Sequence, residues 1–91
     1  MTSSAATSIT VRLRFFASLR EALGAGGALE LPEGSRVADA REALIARGAP
    51  FDASLARQKA LRAALNQTMC DELAQLHDGD ELAFFPPVTG G

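Results

Sequence analysis

Hydrophobic and polar side chains alternate strictly from Ile9 to Phe15, in the order Ile-Thr-Val-Arg-Leu-Arg-Phe. Such alternation is typical of a β-strand with one buried face and one polar face. Shorter segments with strand character follow at four other places. We therefore predict five strands, at residues 9–15, 28–31, 61–65, 68–70 and 81–85.

A different spacing predicts the main helix, which we expect to begin after Ser35. Ser35 is a suitable N-cap because its hydroxyl can accept from the first free amides, and Asp39 follows near the positive end of the helix dipole. Gly48 is expected to end the helix, with Pro50 as a second barrier. The apolar stripe of this helix recurs at i, i+3, i+7 and i+8, at Val37, Ala40, Leu44 and Ile45.

The remaining segments predict short helices, loops and turns. Residues 18–23 indicate one or two helical turns, followed by a loop through Gly26 and Gly27. Residues 51–60 are compatible with a short helix or an irregular loop. The order of elements favours an α+β domain, in which a mixed sheet and one main helix share a core. Turns are expected at residues 32–35, 66–67 and 78–80.

The composition indicates a single globular domain. The chain has 91 residues, of which 47% are hydrophobic and 22% are charged, and this length is too short for two domains. A formal net charge of −2 provides no basic surplus for binding nucleic acid or anionic lipid. No apolar stretch approaches the length of a membrane span. We expect a cytoplasmic protein with a small, polar leader at residues 1–8 and a folded domain at residues 9–85.

Candidate catalytic and metal-binding residues are few. Cys70 is the single cysteine, so it can form no internal disulfide and cannot supply an iron–sulfur cluster or most of a zinc site. Ser18, His77 and Asp80 carry the functional groups of a catalytic triad, but no nucleophile motif surrounds the serine. We predict no metal site and no catalysis by the chain alone. His77 is then a surface residue beside a turn, and Cys70 a small strand residue.

Two phenylalanines interrupt the alternation of the first and last strands. Phe16 follows Phe15, and Phe85 follows Phe84, so Phe16 and Phe85 must lie on the polar face of the sheet. We expect both rings to be exposed. Exposure of a Phe side chain forgoes roughly 1.5–3 kcal/mol of burial. Two such rings indicate a partner that covers them, and the alternative is that each ring merely ends its strand.

Residues 86–91 form a distinct C-terminal tail. Pro86 and Pro87 remove two amide donors and favour an extended chain, so the last strand cannot continue. The five residues after Pro86 can span up to roughly 17 Å. Gly90 and Gly91 have no side chains, so the terminal carboxylate can enter a cleft that is too narrow for a Cβ atom. The alternative is ordinary fraying of a chain end.

Three segments resemble the small, sulfur-carrying subunits of molybdopterin synthase. They are Phe-Phe-Ala-Ser-Leu-Arg-Glu at residues 15–21, the Asn66-Gln67 pair, and Asp-Gly-Asp-Glu-Leu-Ala-Phe-Phe-Pro-Pro-Val-Thr-Gly-Gly at residues 78–91. The resemblance extends from Ile9 to Gly91 and is most specific at the C-terminus. It implies a ubiquitin-like β-grasp fold, which agrees with the predicted order of elements.

The resemblance also implies a reaction cycle at Gly91. In this family an adenylating enzyme of the ubiquitin-activating type uses ATP to convert the C-terminal carboxylate to an acyl-adenylate. A sulfur donor, such as a cysteine desulfurase or a rhodanese-like protein, then yields a thiocarboxylate. The large synthase subunit receives this end, with Gly90 and Thr89 threading into it, and the sulfur passes to precursor Z. Thr89 stands where many relatives have serine.

The assembly implied by the resemblance is a heterotetramer of two small and two large subunits. Phe16, Met69 and Phe85 correspond to apolar contacts with the large subunit and with the activating enzyme. Arg20 corresponds to a polar contact at the rim, and a solvated helix end is the alternative. No cofactor is expected to be bound permanently, because the sulfur is held covalently at Gly91.

Other functions remain compatible with the sequence. Sulfur delivery for thiamin thiazole uses the same fold and the same Gly-Gly end, although the Phe-Phe-Pro-Pro-Val stretch favours the molybdenum family. A protein modifier would join Gly91 to lysine amines of target proteins, as ubiquitin does. A structural interaction domain with an idle tail is a further alternative.

Overall fold

The computed structural model describes residues 7–86, which form five strands and three helices. Each predicted strand is present and differs from the observed one by at most two residues at either end. In chain order the elements are β1 (Ser8–Phe15), α1 (Ala17–Leu23), β2 (Gly26–Pro32), α2 (Val37–Ile45), α3 (Phe51–Ser54), β3 (Arg62–Leu65), β4 (Thr68–Cys70) and β5 (Glu81–Phe85).

The strands form one mixed sheet in the order β2-β1-β5-β3-β4. β1 pairs antiparallel with β2 and parallel with β5, while β3 pairs antiparallel with both β5 and β4. The last strand of the chain therefore lies in the middle of the sheet. The buried face of α2 packs with the strands in one core, which confirms the predicted α+β arrangement of a mixed sheet on one main helix.

The hydrophobic core lies between α2 and the inner face of the sheet. β1 shows the predicted alternation, because every second residue is buried and those between are exposed. Full burial of each large aliphatic or aromatic side chain contributes roughly 1.5–3 kcal/mol. The core consists of Ile9, Val11, Leu13, Phe15, Leu19, Leu29, Leu31, Val37, Ala40, Leu44, Leu55, Ala63, Leu76, Leu82 and Phe84.

The start of α2 corrects one prediction, because its N-cap is Arg36 and not Ser35. The Ser35 hydroxyl donates a hydrogen bond of 2.7 Å to the Pro32 carbonyl, so it stabilises the preceding turn. The Asp39 carboxylate accepts a hydrogen bond of 2.8 Å from the Arg36 amide. This carboxylate lies in the first turn, where the helix dipole favours negative charge. The helix start therefore depends on Asp39.

Gly26 and Gly27, which the sequence placed in a loop, belong to β2 and pair with Arg14 and Leu13 of β1. A Cβ atom at Gly26 would lie 1.9 Å from the Leu13 carbonyl oxygen. The φ angle of Gly26 is +146°, which residues with a side chain rarely adopt. The loop prediction was wrong because glycine here permits a close approach of two strands.

Residues 51–60 contain both of the predicted alternatives, a short helix followed by an irregular loop. α3 covers only Phe51–Ser54, and the chain after it is irregular. Leu55 is fully buried, whereas Lys59 is exposed, so the predicted helical spacing does not extend to Lys59. Within residues 7–86, none of the helices has the length and hydropathy required to cross a membrane.

The turn between β3 and β4 forms at Asn66 and Gln67, as predicted. Their φ angles are 51° and 70°, the left-handed values that a tight hairpin requires. The Asn66 side chain accepts from the Glu81 amide and donates to the Asp80 carboxylate, each at 3.0 Å. The turn is therefore joined to the start of β5, the central strand.

Candidate functional site

The outer face of the sheet, opposite α2, carries the apolar residues that interrupted the strand patterns. Residues paired across neighbouring strands lie on the same face of a sheet. Arg14 of β1 pairs with Ala83 of β5, Ala83 pairs with Ala64 of β3, and Ala64 pairs with Met69 of β4. These four residues form a row across the outer face.

Phe16 and Phe85 lie beside this row, but they are not exposed as predicted. Both residues are half-buried, because their rings stack with centroids 4.8 Å apart and planes 7° apart. β1 and β5 are parallel and in register at Phe15 and Phe84, so the next residue of each strand meets its counterpart. Alternation correctly indicated the face, but only the strand order shows that each ring covers the other.

Small side chains connect the two rings with Met69. Ala64 and Ala83 lie on the outer face, yet only 4% and 5% of their surfaces are exposed. Met69 is 52% exposed, and its flexible thioether can adapt to differently shaped surfaces. We name these five residues, Phe16, Ala64, Met69, Ala83 and Phe85, the outer patch. The accessible apolar surface of the patch therefore belongs to Phe16, Phe85 and Met69, and apolar side chains gathered on one exposed face are typical of a protein-binding site.

Charged side chains of β1, β3 and β5 border the outer patch. The Arg14 guanidinium carbon lies 5.3 Å from the centroid of the Phe16 ring, within the range of a cation–π contact. Arg14 Nη1 is also 3.9 Å from a carboxylate oxygen of Glu81. Arg12 pairs with Glu81 across β1 and β5, and Arg62 pairs with Phe85 across β3 and β5.

Arg20 lies on α1, close in the chain to Phe16. Its amide donates a hydrogen bond of 3.4 Å to the Phe16 carbonyl, and the residue is exposed. Among residues 7–86, no carboxylate lies within salt-bridge distance of the Arg20 guanidinium. The backbone of Arg20 is therefore held at the edge of the outer patch, while its side chain projects from α1.

The C-terminal tail begins beside the outer patch, at the middle of the sheet. β5 ends at Phe85, whose neighbour Phe84 is fully buried. Thr89, Gly90 and Gly91, the predicted tail residues, lie outside the described residues. The structure thus shows that β5 ends at Phe85, a residue of the outer patch.

Ser18, His77 and Asp80 do not form a catalytic arrangement. Asp80 Oδ2 accepts a hydrogen bond of 2.7 Å from the His77 amide and lies 3.8 Å from His77 Nδ1. The Asp80 carboxylate thus accepts a hydrogen bond from the backbone across the turn that contains it, which is a structural contact typical of Asp in turns. Within the described part of the chain, no hydrogen bond joins Ser18 to either residue.

Cys70 is a half-buried residue of β4 and pairs with Ala63. Burial, and secondarily the charge of Asp71, raises the pKa of its thiol above the ordinary value. Because the thiolate is the reactive form, this environment makes the sulfur less nucleophilic near neutral pH. Over residues 7–86, no group of His, Cys, Asp and Glu is arranged to hold a metal ion.

Arg41 is a buried residue that the sequence analysis missed. Its Nε donates to the Leu55 carbonyl at 2.7 Å and its Nη2 donates to the Lys59 carbonyl at 2.8 Å. Further contacts join it to the Ala56 carbonyl and to the Glu72 carboxylate. The position lies four residues after Val37, on the apolar stripe of α2, and that spacing was the available signal. Arg41 therefore links two segments to α2. One is the irregular chain after α3, and the other is the chain after β4.

Comparisons with known proteins identify close relatives over most of the chain. The ThiS family model matches residues 13–91. A molybdopterin synthase sulfur carrier subunit of Haemophilus influenzae is 42% identical over 78 residues, which cover 85% of this chain and 94% of that protein. The Escherichia coli protein of the same name is 38% identical over 81 residues, which cover 89% of this chain and 99% of that protein.

Solved structures share the fold. The solution structure of a Haloferax volcanii protein has a TM-score of 0.81 at 26% identity, over 100% of this chain and 94% of that one. SAMP1 from the same organism has a TM-score of 0.66 at 28% identity, over 90% and 99%. A chain in the Helicobacter pylori complex of subunits 1 and 2 of molybdopterin-converting factor has a TM-score of 0.57 at 26% identity, over 91% and 100%.

A more distant likeness concerns the fold alone. A ubiquitin-like domain from Arabidopsis thaliana superposes with a TM-score of 0.59 at 12% identity, over 99% of this chain and 88% of that one. Together with the sheet order and the helix packed across it, this likeness confirms the expected ubiquitin-like β-grasp fold.

Proposed function

This chain belongs to the ThiS family, and we propose that it is the sulfur carrier subunit of a molybdopterin synthase. The observation that carries the proposal is the position of the outer patch, directly beside the start of a tail that ends in Gly90 and Gly91. A partner that covers the patch is placed to receive the tail. The relatives at 42% and 38% identity, both named as sulfur carrier subunits, support this reading.

The proposed chemistry takes place at the Gly91 carboxylate. A carboxylate is a poor electrophile, so it first attacks the α-phosphorus of ATP on an activating enzyme, and pyrophosphate leaves. A sulfur nucleophile from a donor protein then displaces AMP from the acyl-adenylate. When this nucleophile is the outer sulfur of a cysteine persulfide on the donor, the product is an acyl disulfide. A thiol then attacks the donor cysteine's sulfur, the S–S bond to the acyl sulfur breaks, the thiol and the donor are joined as a disulfide, and Gly91 is left as a thiocarboxylate. This anionic sulfur is the nucleophile that the large synthase subunit presents to precursor Z.

In this division of labour the carrier supplies the sulfur and the docking surface. The large subunit holds the pterin and the catalytic side chains, so the carrier needs no bound cofactor and has no activity alone. The Helicobacter pylori structure is a complex of subunits 1 and 2, and this supports a two-subunit assembly. We propose a cytoplasmic heterotetramer of two small and two large subunits.

The three parts of the chain have separate roles in this proposal. Residues 1–8 are a leader to which we assign no role. Residues 9–85 form the body, with Phe16, Met69 and Phe85 as apolar contacts and Arg20 as a contact at the rim. Residues 86–91 are the tail, in which Thr89 and Gly90 thread into the partner.

The chemistry is tested by intact mass spectrometry of the chain incubated with its activating enzyme, ATP and a sulfur source. We expect one oxygen atom to be replaced by sulfur at the C-terminus. A variant with one residue added after Gly91 should acquire no sulfur and retain its fold. Unchanged mass of the natural chain under every activating condition would overturn the proposal.

The docking surface is tested by measuring affinity for the large subunit. Phe85→Asp removes an aromatic ring from the outer patch and should weaken binding at least tenfold, because the contact of the ring is lost and a carboxylate must be desolvated in its place. Ala53→Asp is a matched control, since Ala53 is exposed on α3, which lies on the helix side of the sheet, away from the outer patch. Equal affinities of the two variants would show that the partner does not cover the patch.

A second candidate function is protein modification. The likeness to SAMP1, which is a small archaeal modifier protein, favours this alternative, since a modifier uses the same fold. Isopeptide-linked species in cell extracts that disappear on deletion of Gly91 would support it. Sulfur delivery for thiamin thiazole is distinguished by genetics: loss of the chain would then cause a thiamin requirement and leave molybdenum enzymes active.

A further inference from the structure

We propose that arginines around the outer patch bind carboxylates of the partner, so that the covering surface has an apolar centre and an acidic rim. The inference rests on the proposed function, because it describes the partner that takes up the tail. We name Arg12, Arg14 and Arg62 the arginine frame. All three are exposed.

The strand register places the frame on three sides of the outer patch. Arg14 stands in the same row as Ala83 and Ala64. Arg12 lies two residues earlier on β1, at the end of the patch away from the tail. Arg62 pairs with Phe85, at the end where the tail leaves the sheet. A partner that covers the patch must therefore approach all three guanidinium groups.

Acidic residues of the chain neutralise this frame only in part. Glu81 is the acid within it, and its carboxylate is 3.9 Å from Arg14 Nη1. Across residues 7–86, Arg12 and Arg62 have no carboxylate within 4.0 Å. Two nearby carboxylates have other hydrogen bonds: Glu30 accepts from the Ser8 hydroxyl at 2.9 Å, and Asp71 accepts from the Leu73 amide at 2.8 Å.

Positive charge on the outer face is concentrated at the arginine frame. The three arginines and Glu81 sum to +2, and Glu30 and Asp71 nearby bring the sum of these six residues to 0. The whole chain has −2, so the remaining residues carry −2, and an acidic partner surface is attracted to the frame more than to the rest of the chain. Such complementarity orients the encounter and raises the association rate more than the final affinity.

The chemistry of the guanidinium group identifies the partner groups. Arginine forms paired, charge-assisted hydrogen bonds with carboxylates, so aspartate or glutamate side chains are its natural protein partners. Because Arg62 lies beside Phe85, the carboxylate that meets it stands next to the entrance for the tail. The frame would thereby set the direction of the tail as well as the position of the body.

The test measures association of the chain with the large synthase subunit from the same genome, by stopped flow between 20 and 500 mM salt. We expect the natural chain to associate more slowly as salt rises. The double variant Arg12→Glu/Arg62→Glu should associate about tenfold more slowly at low salt, and its association rate should no longer fall as salt rises, because the attraction to acidic residues has become repulsion. The matched control is Arg36→Glu/Arg47→Glu, which makes the same charge change at exposed positions at the two ends of α2.

The outcomes separate this inference from the proposed function. Equal association rates for the frame variant and the control, with Phe85→Asp still defective, would overturn the frame and leave the carrier function intact. Normal binding by all three variants would overturn both. If the double reversal unfolds the chain, Arg12→Gln/Arg62→Gln provides the same test with a smaller expected effect of about threefold. Thermal unfolding of each variant checks the fold.

Discussion

Two pairs of stacked phenylalanines occupy opposite faces of the same two strands. Phe15 and Phe84 meet on the inner face, with ring centroids 6.3 Å apart and an angle of 18° between the rings. Phe16 and Phe85 meet on the outer face at 4.8 Å and 7°. The inner rings are 3% and 0% exposed, whereas the outer pair is half-buried. The two pairs consist of the same residue type and follow the same pairing and register of β1 with β5. They differ in which face of the sheet they occupy and in how much of each ring is exposed to solvent.

This difference separates stability from recognition. The inner pair is enclosed by the core and contacts Phe51, whose ring centroid is 6.5 Å from that of Phe15. The outer pair retains exposed surface that a partner can cover. Close stacking reduces the cost of leaving two aromatic rings at the surface, so a binding site can be kept ready without unfolding the domain.

The largest expected effect is on the inner pair. Phe84→Ala removes a fully buried ring and should lower the free energy of unfolding by about 4 kcal/mol, because burial is lost and a cavity forms. Chemical denaturation measures this directly. A loss below about 1 kcal/mol would remove the contrast between the faces. Phe84→Leu, which retains most of the volume, should recover much of the stability.

The second-largest expected effect on the free energy of unfolding concerns Arg41, the buried charged residue of α2. Arg41→Met should destabilise the fold by roughly 3 kcal/mol, since the carbonyls and the Glu72 carboxylate that Arg41 contacts lose their donor. Arg36→Met, at the exposed start of the same helix, is the control and should change stability by less than about 0.5 kcal/mol. Equal stability of both variants would show that the Arg41 contacts contribute nothing to folding.

A smaller effect on stability is expected at the outer pair. Phe85→Ala should lower the free energy of unfolding by about 1 kcal/mol, the usual worth of an exposed aromatic contact. The same variant should bind the large subunit about tenfold more weakly. A double-mutant cycle with Phe16→Ala measures the stacking energy. If Phe85→Ala destabilised as much as Phe84→Ala, the outer pair would be a structural element.

The smallest effect is chemical and concerns the neighbouring residues Met69 and Cys70 of β4. Because burial raises the pKa of the Cys70 thiol, less thiolate exists at a given pH than in an ordinary cysteine. Alkylation by iodoacetamide should be slower than in the unfolded chain near pH 8, and the rate should rise as pH passes the raised pKa. Faster alkylation in the folded chain would contradict this.

Met69, which is exposed, should be oxidised readily by peroxide.

Local patterns predicted the elements of the fold better than their arrangement. Alternation was sufficient for β1 because one face of that strand is buried along its whole length. The glycine signal for a loop failed at Gly26, where the close approach of β1 decides the conformation. The N-cap preference of serine failed at Ser35, because Asp39 supplies the helix-start contact. The first outcome depends on a strand that is distant in sequence, and the second on a choice among hydrogen-bond partners only a few residues apart.

The candidate site was predictable in its residues but not in its geometry. The doubled phenylalanines identified Phe16 and Phe85, because a second apolar residue in succession must lie on the other face. Their stacking depends on the parallel pairing of β1 with β5, which local pattern does not encode. Arg12 and Arg62 looked like ordinary surface charges until the strand order placed both beside the outer patch.

The central position of β5 has a mechanical consequence. Pairing with β1 involves Glu81–Phe84, and pairing with β3 involves Leu82–Phe85. A pull on Pro86 along the strand therefore loads two hydrogen-bonded ladders in shear, so many bonds must yield together. Were β5 an edge strand, the same force would act on a single ladder. The domain thus resists unravelling from its C-terminal side when force is applied at Pro86.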